Sequence, residues 1–247
     1  MENSLWYRKK SLDSAARMRL ICLPHAGGGG AVYHRWARHF PEWIGVLPIE
    51  LPGRDSRTNE LPCEKLVELA TELAHALLAM IQDRSFAIFG HSMGAAIGFE
   101  LARRLQIDHG REPTHLFVSS CRAPRAIKAE SPLHALETDA MIDHLLDRYG
   151  TRHHTSPDEL SLMRFLAPTL RADLKMMETY AYQTESLLQC PITALGGITD
   201  PGVARHELEA WRMETTGAFS CRLFPGGHFY LRDQEMTVVR LMQSKLG

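Results

Sequence analysis

The sequence predicts an α/β fold built on a mostly parallel sheet. Short apolar runs, bounded by Pro, Gly or polar residues, alternate with longer segments of helical periodicity. The runs are rich in Ile, Val, Leu and Phe throughout rather than alternating, as strands covered on both faces are. The chain of 247 residues, 45% of them hydrophobic, suffices for one sizeable core, so a single domain over residues 1–247 is expected.

Residues 18–23, 44–49, 86–89, 115–119, 192–195 and 219–224 are the expected strands. Between them, residues 65–82 place Leu66, Leu69, Leu73, Leu77 and Ile81 at steps of three and four, which line one face of a helix. Residues 93–105, 203–215 and 234–245 read the same way. From about 125 to 185 no convincing strand occurs, and helical stretches surround "GTRHHTSP". A helical insertion between two strands, lying over one edge of the sheet, accounts for this. No internal repeat or low-complexity linker interrupts the pattern.

A formal net charge of −1 offers no field to draw in nucleic acid or an anionic membrane. Cys22, Cys63, Cys121, Cys190 and Cys221 are widely spaced, odd in number, and form no metal-binding pattern. Buried reduced thiols in a reducing cytoplasm are expected. "MENSLWYRKKSLDSAARMRL" has no long apolar stretch and reads as neither leader nor anchor, and no other segment is apolar enough to cross a bilayer.

The chemistry is carried by "FAIFGHSMGAAIGFELARRL". An apolar run passes through Gly90-His91-Ser92-Met93-Gly94 directly into a helix, the context of a G-x-S-x-G nucleophile elbow. A serine hydroxyl needs a histidine to take its proton and a carboxylate to orient that histidine. In folds with this elbow the order is Ser, Asp or Glu, then His. Asp200 in "GGITDPGV" and His228 in "PGGHFYL" follow strands in that order. Their rim, the carboxyl ends of parallel strands, is where sites assemble. The strand ending "VSSCRAPR" carries no alternative carboxylate. Asp233 follows His228 and reads as a helix N-terminal residue, His91 as a packing residue, and His153 and His154 as solvated surface.

"LPHAGGGG" follows the first strand. A phosphate cradle would need a closing Gly-Lys-Ser/Thr and a dinucleotide site G-x-G-x-x-G, and neither is present. Acyl transfer instead needs two backbone N–H groups facing the developing oxyanion. Met93, after the nucleophile, and Ala26, in the glycine loop, are the expected donors.

Taken together, "LICLPHAGGGGAVYHRW", "IELPGRDSR", "FGHSMGAAIGFELARRL", "SSCRAPR", "LAPTLRADLKMMETYAY", "GGITDPGV" and "PGGHFYL" resemble the type II, external editing thioesterases of polyketide synthases and nonribosomal peptide synthetases. The "LRAD…ETY.Y" segment is the most specific element of the set. The resemblance implies an α/β-hydrolase fold, a catalytic set of Ser92, Asp200 and His228, oxyanion donors Ala26 and Met93, and a mobile helical lid over about 125–185. It implies hydrolysis of acyl groups from the phosphopantetheine arm of acyl or peptidyl carrier proteins, by a cytoplasmic monomer with no cofactor or metal.

"RYGTRHHTSP" departs from the shorter glycine-rich lid turn of similar proteins, which bears on substrate choice. Arg122, Arg125 and Lys128 are the cations that would meet an acidic carrier, the alternative being a solvated basic stretch. On the docking reading, charge reversal at Arg122 and Arg125 raises KM for an acyl-carrier substrate alone. Competing functions are a carboxylester hydrolase, a product-releasing thioesterase fused to a synthase, and a non-catalytic binder. The initial methionine favours a free-standing protein over the fused form, and an intact Ser92, Asp200, His228 set argues against the binder.

Overall fold

A computed structural model describes residues 5–7, 16–81, 83–126, 132–183 and 186–247. Six parallel strands form one sheet: β1 (Met18–Leu23), β2 (Ile44–Pro48), β3 (Ser85–His91), β4 (His115–Ser119), β5 (Ile192–Gly197) and β6 (Phe219–Phe224), in spatial order β2-β1-β3-β4-β5-β6. The apolar runs are continuous because successive residues serve opposite layers. Ile21 and Leu23 of β1, Ile88 of β3 and Val118 of β4 enter one core. Leu20 and Cys22, Phe89 and Phe117 enter the other.

Helices α1 (Leu66–Ile81) and α2 (Met93–His109) supply the first core. Leu66, Leu69, Leu73, Leu77 and Ile81 of α1 are all buried, as their spacing predicts. Helix α2 runs four residues past the expected end and stops at Gly110, whose left-handed φ of 59° lets its N–H and that of Arg111 close back onto Gln106 and Leu105 carbonyls. Helix α7 (Leu231–Leu246) covers the second face with Val238, Val239 and Met242. It starts three residues before the expected 234, and Gln234 (φ −108°, ψ 15°) marks a kink there.

Between β4 and β5 lie α3 (Thr138–Arg148), α4 (Pro157–Phe165) and α5 (Ala167–Glu178), with no strand among the described residues of that interval. They share a separate apolar cluster of Leu133, Met141, Ile142, Leu145, Leu146, Ala167 and Leu170. "TSPDE" starts α4 through a capping box, in which Ser156 and Glu159 satisfy each other's backbone N–H groups and Pro157 occupies the first turn. His153 and His154 are exposed.

The expected helix over 203–215 is divided into α6 (Arg205–Glu209) and a tighter 3-10 stretch at Ala210–Glu214. Tertiary partners override helical periodicity here. Fully buried Trp211 donates its Nε1–H to the Cys121 carbonyl at 2.8 Å, and buried Glu214 accepts from Tyr182 Oη at 2.5 Å. All five cysteines are free thiols. Among the described residues no helix is long and apolar enough to cross a membrane.

Candidate active site

The strand order reverses beside β1: the chain leaves β1 for β2 on one side and returns to β3 on the other. Such a switch point opens a crevice beyond the carboxyl ends of the two strands. Leu23 of β1 is in register with Gly90 of β3. The glycine loop and Ser92 therefore emerge side by side.

Ser92 has φ 54° and ψ −119°, a strained conformation that turns β3 abruptly into α2. The turn requires glycine at two places. A Cβ on Gly90 would stand 2.0 Å from the Gly94 carbonyl oxygen, and one on Gly94 would stand 2.2 Å from the Leu23 carbonyl oxygen. The second contact shows that the start of α2 abuts the end of β1. Met93 N–H and the loop carrying Ala26 are thus brought to the same end of the sheet.

His228 and Asp200 come from the loops after β6 and β5. His228 Nε2 lies 3.1 Å from Ser92 Oγ, and Nδ1 lies 3.0 Å from Asp200 Oδ2 and 3.2 Å from Oδ1. A carboxylate only accepts, so Nδ1 carries the proton and Nε2 faces the serine hydroxyl as an acceptor. Both side chains are nearly sealed, at 3% and 1% exposure, whereas Ser92 remains partly open. Burial pushes the Asp200 carboxyl up, but the bond and charge of His228 and the Gly202 N–H at 2.8 Å outweigh it. The net shift is downward.

Ser120, just past the end of β4 where the sequence carries no carboxylate, supports the backbone of the catalytic histidine, and Ser119 beside it bonds His91 and Tyr230. Ser120 Oγ donates to the His228 carbonyl at 3.3 Å. Ser119 Oγ links His91 Nδ1 at 2.9 Å to Tyr230 Oη at 2.8 Å. His91 is buried and engaged in this chain, in keeping with a packing role. Asp233 lies in the first turn of α7. Tyr149, at the end of α3, stacks on the His228 ring with centroids 4.1 Å apart. Nothing in the sequence pattern pointed to it beyond its place in the unusual "RYGTRHHTSP" turn.

Two of the three expected carrier-facing cations, Arg122 and Arg125, form ion pairs within the fold while remaining partly exposed. Arg122 Nε is 3.0 Å from Glu207 Oε1, and Arg125 Nε is 2.9 Å from Oε1 of buried Glu214. Reversing Arg125, whose side chain is 38% exposed, would set a second carboxylate beside the buried Glu214, so a loss of stability is expected alongside any change in carrier KM. Lys128 lies outside the described residues.

His91 and His115 are buried, and His25 is partly so. Burial depresses all three: His25 and His115 to about 4, and His91 well below its ordinary value. Unfolded, they titrate near 6.5, so between about 6.5 and about 4 the unfolded chain binds more protons. Stability is therefore expected to fall as pH drops through that window. Thermal melts from pH 7.5 to pH 4.5 test this, and a Tm that is flat down to pH 5 would contradict it.

A family model described as a thioesterase domain matches residues 18–246. The chain belongs to the thioesterase domain family. It is 38% identical over 241 residues to the gramicidin S biosynthesis protein GrsT of Aneurinibacillus migulanus, covering 98% of this chain and 93% of that one. Among solved structures, the type II thioesterase BorB from the borrelidin biosynthetic cluster superposes with a TM-score of 0.86 at 35% identity, covering 100% of this chain and 98% of that one. The RedJ thioesterase from the prodiginine pathway of Streptomyces coelicolor gives 0.85 at 35% identity, over 92% and 86%. These neighbours identify the fold of this thioesterase as that of the α/β-hydrolases. Family members are serine-based thioester hydrolases.

Proposed function

We propose that this chain is a type II thioesterase that hydrolyses acyl groups held on the phosphopantetheine arm of acyl or peptidyl carrier proteins of a polyketide synthase or nonribosomal peptide synthetase. The observation that carries the reading is the unbroken relay from Ser92 Oγ through His228 to Asp200 on a strained elbow. Its similarity to GrsT, BorB and RedJ supports the substrate class.

In this mechanism His228 Nε2 takes the Ser92 proton as Oγ attacks the thioester carbonyl, and Asp200 stabilises the imidazolium that results. Ala26 and Met93 N–H groups bind the oxyanion, each worth on the order of 10²-fold to 10³-fold in turnover by comparison with proteases. The tetrahedral intermediate expels the pantetheine thiolate, which takes the proton from His228. The same histidine then activates water to release the acid from Ser92 and restore the hydroxyl.

We assign residues 1–247 to one domain and about 125–185 to a lid over the acyl site. What supports the lid is the position of α3–α5 between β4 and β5, their separate apolar cluster, and the contact of Tyr149 with His228. We place the enzyme in the cytoplasm as a monomer, a setting that suits its five free thiols.

Intact-protein mass spectrometry of carrier proteins loaded with short and medium acyl chains tests the function. Free phosphopantetheinyl carrier is expected with the wild type, and the profile of chain lengths reports the pocket. Carriers that stay loaded while simple esters are cleaved would replace this reading with a carboxylester hydrolase.

A further inference from the structure

The glycine loop is held by a buried ion pair from two other parts of the chain. Asp173, on α5, accepts from Arg54 through both oxygens, each at 2.7 Å. The pair is 6% and 1% exposed. Both partners also bond the loop: Gly27 N–H donates to Asp173 Oδ2 at 2.8 Å, and Arg54 Nη1 donates to the Gly28 carbonyl at 3.1 Å, while Arg54 Nε donates to the Pro52 carbonyl at 3.4 Å.

Within the loop, Gly28 N–H donates to the His25 carbonyl at 2.9 Å, closing a turn with Ala26 second and Gly27 third. Gly27 has φ +72°, the value the third position of a type II turn requires. The His25 carbonyl and the Ala26 N–H belong to one planar trans peptide and point in opposite directions. Whatever fixes the turn therefore fixes the direction of the Ala26 N–H.

We propose that Asp173, acting with Arg54, is a positioning residue for the oxyanion hole: by holding Gly27 N–H and Gly28 C=O it sets the aim of the Ala26 N–H and makes that aim depend on where α5 sits. The inference rests on the reading of Ala26 as an oxyanion donor. It also gives "LPGRD" and "LRAD" a common purpose, since Arg54 and Asp173 are 119 residues apart and meet only at this loop.

A double-mutant cycle on a small thioester substrate separates the two readings. Ala26→Pro removes the donor at a turn position that tolerates proline, and is expected to lower kcat by about 10²-fold or more. Asp173→Ala is expected to lower kcat between about 10-fold and 100-fold with little change in KM, the signature of a group that acts in the transition state. On the Ala26→Pro background Asp173→Ala should then change kcat by less than about twofold. Additive losses, or a folded Asp173→Ala enzyme with wild-type kcat, overturn the positioning role while leaving the donor intact. Wild-type turnover by Ala26→Pro overturns the donor reading itself. Since Asp173→Ala strands a buried guanidinium, Tm is followed in parallel. If that variant unfolds, Asp173→Asn, which keeps an acceptor for Gly27 but loses the charge toward Arg54, takes its place in the same cycle under the same criterion of non-additivity.

Discussion

Ser92→Ala is expected to reduce thioester hydrolysis by about 10⁶-fold, as when the nucleophilic serine is removed from a comparable relay. Without Oγ no acyl-enzyme forms, and catalysis falls to what the oxyanion donors and substrate positioning give to direct attack by water. The hydroxyl's contact with His228 Nε2 at 3.1 Å lies at a partly open position, so its loss should leave Tm close to the wild-type value. Turnover of an acyl-carrier substrate, measured with a melting curve on the same preparation, checks both. A folded Ser92→Ala protein with wild-type turnover would remove the serine from the mechanism.

Asp200→Asn is expected to cost about 10⁴-fold in kcat through the histidine tautomer. The present carboxylate accepts from His228 Nδ1 on one side and from the Gly202 N–H on the other. In the amide, the oxygen retained for Gly202 leaves an NH2 group facing Nδ1. That arrangement favours the tautomer with the proton on Nε2, where it can no longer accept from Ser92. The rate of fluorophosphonate labelling at Ser92 should fall with kcat, because the same proton transfer activates the serine in both. Labelling and turnover at wild-type rates would show that Asp200 does not orient His228.

Much of this architecture was legible because each layer has a local signature. Strands covered on both faces carry apolar residues without alternation, which exposes the runs within 18–23 and 115–119, and a helix packed on one face shows Leu66, Leu69 and Leu73 at helical steps. The elbow is local at Gly90, whose collision is with the Gly94 carbonyl, whereas Gly94 is demanded by the end of β1 at Leu23, a contact only the fold supplies. The helix expected over 203–215 failed as a single helix because Trp211 and Glu214 are satisfied by Cys121, Tyr182 and Arg125, partners that periodicity within a window cannot show. Periodicity is equally blind to the ion pairs that Arg122 and Arg125 make with Glu207 and Glu214.

The sequence by itself determined the α/β class, the elbow, and which serine, carboxylate and histidine follow strands in the order this chemistry uses, since all of these depend on residue type and chain order. Only the tertiary structure decided that β1 and β3 flank the switch point, that Ser92, His228 and Asp200 meet within hydrogen-bonding distance, that Tyr149 covers the histidine, and that Asp173 reaches Arg54 and the glycine loop. Those facts belong to contacts between residues tens to more than a hundred positions apart. Hydrogen bonds and desolvation act through space, so their partners are chosen by the packing of the whole sheet and its helices, which no local stretch of sequence displays.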